Sequence, residues 1–344
     1  MSLDGLRAAL VGPESTRFRA PLCRMDGLAV TIGDAGLARR RGTPLVLLGA
    51  DPGPDPSLGG AGGLSADQPV VRADVGAQPD TFDVWACGDG EPDMRALDEP
   101  ETVRWISEVM NADVPRAPRP ALVSSPITEF VPFDLDGPYD VDALLATIVD
   151  DGPSTPFFAH ETPEMRWRLA RLGGHGVAIA ASDPTIDQGR LSATALAAHE
   201  RFVRYAEARG LPIVSLVDSA GIAVGAADDL EGFTALSAAL GTVYRASSVW
   251  VSVLVGRVEG LAAQILGAVG SRSDHVLAWP RANLSSVGGG DRRSRTGAFT
   301  AASSGELLEL IEPDQTRAVL VEHLELARGQ RRYGPLATGS GAGL

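Results

Sequence analysis

The chain contains no lysine: all 30 of its basic residues are arginine. That absence excludes Schiff-base catalysis, pyridoxal anchoring and a phosphate-loop lysine. The abundance of Ala, Gly, Pro and Arg points to a GC-rich coding bias as its origin. Cysteine is nearly absent too. Cys23 and Cys87 are too few for a disulfide framework and lack metal-ligand spacing. The five histidines, His160, His175, His199, His275 and His323, are scattered with no metal-binding interval, so no metal is expected. No apolar run approaches the roughly 20 residues a membrane span requires, and the first residues carry no basic-plus-apolar leader pattern. A cytoplasmic protein without membrane association is the expectation. Basic charge is in deficit, with a formal net charge of −14, which argues against nucleic-acid partners. Ser285 and Ser286 do not sit in a nucleophile elbow, so serine hydrolysis has no support.

What is present is an alternation. Between Leu172 and Gly288, apolar β-branched runs (GVAIAAS, LPIVSLVD, VWVSVLV) alternate with helix-length segments, and each run ends in glycine-rich punctuation. This is the pattern of repeated βαβ units around a mostly parallel, buried sheet. Within it, Ser192 is a suitable N-cap and Gly210 a suitable C′ residue for one helix. Leu196, Phe202, Val203 and Ala206 supply that helix with an apolar stripe, and His199 is expected to lie partly exposed on it. Asp228 and Asp229 are placed to cap a helix starting near Leu230.

The ordered series GGHGVAIAASDP, RFVR, LPIVSLVDSAGIAVG, EGF, EGLA and AWPRANLSSVG resembles the C-terminal half of the carboxyltransferase (beta) subunit of biotin-dependent acyl-CoA carboxylases. Tyr139–Asp151 is similar to the short helix that opens that half, and Leu307–Arg331 to the strand, proline and helix that close it. About 190 residues are covered. The resemblance implies a crotonase-like ββα spiral: an α/β fold with a mostly parallel sheet, one well-formed C-terminal domain and a truncated N-terminal crotonase-like half. Val30–Gly53 resembles a strand–turn–helix–strand passage of the N-terminal half. The glycine pair of that half's oxyanion turn has no counterpart. The expected division is a reduced N-terminal half at 1–120, a linker at 121–138 that continues the extended PRAPRP, a carboxyltransferase-type domain at 139–333 and a disordered tail at 334–344. Residues 51–80, rich in Gly, Pro and Asp, are expected to be a loop or a collapsed remnant of the N-terminal half.

Candidate site residues follow from strand ends. Asp218, Ser219 and Gly221 end an apolar strand, where α/β proteins place ligands. The alternative is a tight loop that needs Gly for positive φ. Gly225 and Gly232 match family glycines further on. At Gly260–Leu261–Ala262 the family carries two glycines whose amides hold an oxyanion, since a helix start supplies donors and a favourable dipole. Gly260 keeps the first, Leu261 replaces the second, and plain packing is the other reading. Gln264 occupies a position where the family selects the acyl chain, suited to a polar acyl group or to a helix surface. Trp279–Pro280 is expected to pack. Gly288–Gly290 followed by DRRSR reads as a phosphate cradle or a mobile loop. Arg39, Arg40 and Arg41 suit the phosphates of coenzyme A, or a solvated helix end.

Two functions compete. In the first, the chain acts on a malonyl-type CoA thioester. It transfers carboxyl to or from biotin carried on a partner protein, or decarboxylates, through an enolate held by the amides of residues 260–262. In the second, it is a non-catalytic partner that completes or regulates a fuller carboxyltransferase subunit. Both imply a homo-oligomer or a hetero-complex with another carboxylase subunit.

Overall fold

The structure is a computed structural model. It describes residues 82–331 apart from 87–91, 97–98, 122, 135–136, 269–274, 286–295 and 306, together with the backbone of four strands nearer the N-terminus. Those strands are β1 (Leu6–Leu10), β2 (Leu28–Ile32), β3 (Leu45–Leu48) and β4 (Val70–Val75). With β5 (Phe82–Trp85) and β6 (Met94–Ala96) they form a six-stranded sheet in the order β2-β1-β3-β4-β5-β6. Its first four strands are parallel and its last two antiparallel. β4 corrects the loop alternative for 51–80 at residues 70–75: VVRADV carries enough β-branched valine to pair with β3 despite the glycine-rich sequence before it. Arg39–Arg41, the Gly288–Gly290 run and the 334–344 tail lie outside the described residues.

After α1 (Glu99–Met110) and α2 (Val141–Ile148), a second sheet is built from β7 (Thr155–Phe157), β8 (Met165–Leu172), β9 (His175–Ser182), β10 (Ile213–Ser219) and β11 (Trp250–Glu259), extended by β12 (His275–Ala278), β13 (Asn283–Ser285), β14 (Thr296–Gly297) and β15 (Glu309–Leu310). The central run β9-β10-β11-β12/β13 is parallel; β8 and then β7 add to one end by antiparallel pairing, and β14 to the other. Helices α3 (Ala193–Ala208), α4 (Leu230–Arg245), α5 (Gly260–Ile265), α6 (Ala298–Ser303) and α7 (Thr316–Arg331) complete the chain.

Strands β9, β10 and β11 are buried on both faces, as parallel strands covered by helices must be. Their two-residue period sorts side chains into two cores. Ala178, Ala180, Ile213, Val217, Trp250 and Leu254 face one core with Phe202 of α3 and Trp105 of α1. Val177, Ile179, Val214, Leu216, Val251 and Val253 face the other with Leu144 of α2 and Leu320 of α7. Trp105, Ile106, Val109 and Met110 thus pack into the core of the C-terminal segment, and Ile127 and Val131, within the expected linker, pack into the second core. Two caps fall where the sequence places them: Ser192 accepts from Ala195 N–H and Asp229 from Gly232 N–H. A third, Asp140, accepts from Asp142 and Ala143 N–H.

Arginine bridges several groups at once here, through the five donors of its planar fork. Arg171 donates to the carbonyls of Val114 and Asn111. Arg317 reaches the Ile148 and Arg119 carbonyls and the Asp150 carboxylate. Asp150 also accepts from the N–H groups of Gly173 and Gly174 in the β8–β9 turn, at 2.9 and 2.7 Å. Burial alone would raise the Asp150 carboxyl pKa, but the bonds from Arg317 and the two amides outweigh it and hold the group below its ordinary range. Asp150→Ala is expected to cost about 2–4 kcal/mol in urea unfolding, because a charged partner and two amides lose their acceptor. A native pKa below the unfolded value means this contribution is complete above about pH 4 and is lost as pH falls through the native pKa. The parent-minus-variant difference should therefore shrink in acid.

Candidate functional site

The parallel strands of the second sheet end together along one edge, and the register shows which residues meet there. Ser219 of β10 pairs with Val258 of β11, which pairs on its other side with Leu284 of β13, and Glu259 pairs with Ser285. The ends of β10 and β11, carrying 218–221 and 257–262, are therefore adjacent.

The β10 end is closed. Asp218 is 1% exposed and Ser219 fully buried. Ala220 N–H donates to the Gln188 carbonyl, Gly221 N–H to Ser219 Oγ, and Leu191 N–H to the Gly221 carbonyl. These groups hold the loop against residues 188–191. Gly221 and Gly225 have φ of 109° and 83°, the left-handed geometry that the tight-loop reading required.

The β11 end is open. β11 runs into α5 through Gly260, whose φ of 59° lies in the left-handed region that glycine adopts without strain. The N-cap residue, Glu259, makes no side-chain capping bond to this helix start. Leu261 is 41% exposed and Ala262 is buried beneath it. Gln264, half-buried one turn on, lies 3.5 Å through Oε1 from Tyr244 Oη. Val224, Leu230 and Phe233, from the loop after β10 and the start of α4, are exposed apolar side chains.

Between these ends Asp218 gathers partners that sequence reading missed. Asp218 Oδ1 accepts from Arg257 N–H at 2.8 Å, with Arg257 Nη1 at 3.9 Å. Asp218 Oδ2 lies 3.2 Å from Tyr139 Oη and 3.4 Å from Arg281 Nη2. Arg281 also donates to the Pro132 carbonyl, and its guanidinium lies over the Tyr139 ring at 5.6 Å. Burial pushes the Asp218 carboxyl up, against the Arg257 amide and the two guanidiniums. Burial first, and the neighbouring Asp218 second, push the Tyr139 hydroxyl well up, so Tyr139 stays protonated and donates. One signal was available: Arg257 and Glu259 are charges at the end of an otherwise apolar strand, and a buried charge needs a partner.

His199 corrects an expectation. It is fully buried, with its ring between Trp167 and Trp250 at 5.5 and 5.9 Å. Neither ring nitrogen has a hydrogen bond of ordinary geometry. Trp279 is buried as expected, and its Nε1 donates to Thr316 Oγ1 at 2.8 Å. Among the described residues, no group of three or more His, Cys, Asp or Glu is placed to hold a metal, and no helix is long and apolar enough to cross a membrane.

Comparison with known proteins matches this arrangement. A family model described as carboxyl transferase domain matches residues 89–291. The carboxyltransferase subunit of propionyl-CoA carboxylase from Haloferax mediterranei is 25% identical over 244 residues, covering 63% of this chain and 47% of that protein. The methylmalonyl-CoA decarboxylase subunit alpha of Veillonella parvula is 26% identical over 233 residues, covering 60% of this chain and 44% of that protein. Among solved structures, the transcarboxylase 12S hexamer core with hydrolysed methylmalonyl-coenzyme A bound superposes with a TM-score of 0.62 at 23% identity, over 71% of this chain and 53% of that one. That likeness shows the crotonase-like fold. The chain spans under half the length of these two curated relatives.

Proposed function

The chain belongs to the carboxyl transferase domain family, and from that premise we propose that it acts on a malonyl-type acyl-CoA thioester, using the backbone amides of Gly260, Leu261 and Ala262 to hold the thioester oxygen. The observation that carries this reading is the β11–α5 turn. It is a helix start whose N-cap residue makes no side-chain capping bond, entered through a left-handed glycine, at the end of a parallel strand. Two N–H donors aimed at one point stabilise an enolate without any side-chain nucleophile. In the decarboxylating direction, the C–C bond to the carboxylate breaks, CO2 leaves, and the electron pair is delocalised onto the thioester oxygen. The enolate carbon then takes up a proton. In the carboxylating direction the α-carbon first gives up a proton, which the biotin nitrogen left by release of CO2 would accept, and the enolate carbon attacks CO2 to form the new C–C bond. Biotin on a partner protein would supply or accept that carboxyl group. The exposed Leu261 side chain and the half-buried Gln264 would border the acyl group, and Arg39, Arg40 and Arg41 would meet the phosphates of coenzyme A. Exposed Val224, Leu230 and Phe233, in the loop after β10 and at the start of α4, fit a site completed by a second copy of the chain or by another carboxylase subunit.

A second reading, a non-catalytic partner of a fuller carboxyltransferase subunit, is favoured by one feature. Leu261 places a β-carbon where the family has none. One experiment separates the two. Malonyl-CoA or methylmalonyl-CoA at about 100 times its Kd should stabilise the full chain by about 2.7 kcal/mol, a melting shift of several degrees for a chain of this size. Carboxyl transfer or decarboxylation should accompany that shift. Absence of a shift with several acyl-CoAs at millimolar concentration would leave the partner reading standing. Recovery of the chain from its host with a second carboxyltransferase-like subunit would then support it.

A further inference from the structure

The ladder between β10 and β11 breaks at one residue. Val217 pairs with Leu254 and Ser219 with Val258, so Asp218 alone stands opposite Val255, Gly256 and Arg257. At the same point β11 changes its other neighbour, pairing with β12 through Val251–Leu254 and with β13 through Arg257–Glu259. A strand that gains residues against one partner and exchanges another has no ladder to fix where its last residues emerge. The Asp218 carboxylate occupies that break. It accepts the Arg257 N–H at 2.8 Å. It also fills the space beside Gly256, where a β-carbon would come within 2.1–2.5 Å of its atoms. Its own position is fixed from three sides. Tyr139, Arg281 and Arg257 converge on it from the chain before α2, the loop after β12 and β11 itself, and all are buried. The last residues of β11 regain register immediately beyond, at Val258, two residues before Gly260.

We infer that Asp218, held by Tyr139 and Arg281, is a positioning residue for the end of β11. It sets where the 260–262 amides stand relative to the 219–221 loop. The inference rests on the proposed thioester function for its catalytic consequence, and on the β10–β11 geometry alone for its structural one. Asp218 touches no reacting atom: it is buried beneath the edge and acts through the backbone of Arg257. A displacement of about 1 Å in a catalytic group is enough to cost about 100-fold in rate.

The test compares Asp218→Asn, Asp218→Ala and Tyr139→Phe in the full chain. Asparagine keeps an oxygen acceptor for the Arg257 N–H, whereas alanine removes it. Turnover of malonyl-CoA should fall about tenfold in Asp218→Asn and about 100-fold or more in Asp218→Ala, with the malonyl-CoA Kd within twofold of the parent. Tyr139→Phe should lose a few-fold. A purely structural role would lower melting temperature without this split between kcat and Kd and without the partial rescue by asparagine. Full turnover in a folded Asp218→Ala overturns the inference. If alanine does not fold, unchanged turnover in both Asp218→Asn and Tyr139→Phe overturns it. If the parent neither binds nor turns over acyl-CoAs, the proposed function fails, and hydrogen exchange decides the positioning role separately. Asp218→Asn should then speed exchange at the 257–262 amides at least about tenfold, as expected for losing a charged hydrogen bond, while Val177–Ala181 stay protected. No change, or a uniform change across the sheet, overturns it.

Discussion

Replacing His199 with leucine is expected to stabilise the chain at neutral pH and to remove much of its acid sensitivity. His199 is fully buried, and its two ring nitrogens lack ordinary hydrogen-bond partners. Leaving such a group unpaired costs about 1–3 kcal/mol, which an apolar side chain of similar size avoids. Burial also depresses the imidazole pKa from 6.5 to about 3, opposed only by the backbone of Ile265. The unfolded chain therefore takes up a proton at His199 as pH falls below about 6.5, while the folded chain does so only near 3. Between those values the unfolded state binds more protons, and folding stability falls as pH falls. The full difference is on the order of several kcal/mol, since each unit is worth about 1.4 kcal/mol. His199→Leu should gain about 1–2 kcal/mol over the parent at pH 8, and the gain should widen by several kcal/mol at pH 4. Urea unfolding at both values measures it. A gain that does not change between pH 8 and pH 4 would mean that His199 is hydrated or partnered in solution.

His199 also shows what is legible in the sequence and what is not. The helix 193–208 has its cap and its C′ glycine where the residues place them. Leu196, His199, Val203 and Ala206 recur at helical spacing, so His199 stands on the apolar stripe itself. Its polarity argues for exposure, but the surrounding tryptophans, from β8 and β11, are invisible to any local reading. The same division runs through the fold. Strand and helix order can be read from apolar runs and glycine punctuation, because parallel strands buried on both faces are continuously apolar. Strand β4 cannot, because its six residues follow a long glycine- and proline-rich stretch. At the candidate site, the glycines at 221, 225 and 260 announce positive φ, and all three have it. The Asp218 cluster is half visible. Asp218 stands out for its place at a strand end, but its partners come from 79 residues before it and 39 and 63 after it. Only the register break between β10 and β11 explains why a carboxylate is needed there.

The sharpest test of the oxyanion turn is Gly260→Asn paired with Gly210→Asn. Valine at 260 would mix two effects. A β-branched residue at a φ of 59° strains the backbone by about 1–2 kcal/mol as well as crowding the edge. Asparagine tolerates the left-handed conformation, so the turn should keep its shape while a polar side chain enters the space in front of the amides. Gly210, with φ of 60° and nothing within 4 Å of where a β-carbon would stand, carries the same backbone demand far from the sheet edge. Both variants should melt cooperatively within a few degrees of each other. Gly210→Asn should retain the parent's turnover of malonyl-CoA. Gly260→Asn should lose about 100–1,000-fold, the usual cost of a disturbed oxyanion donor. Leu261→Gly, which removes the side chain that stands where the family has a second glycine, should move turnover the other way or broaden the acyl groups accepted. If Gly260→Asn folds and turns over malonyl-CoA as fast as Gly210→Asn, the amides of 260–262 hold no developing charge. The turn is then only a connection between β11 and α5, and the partner reading gains the ground that the enzyme loses.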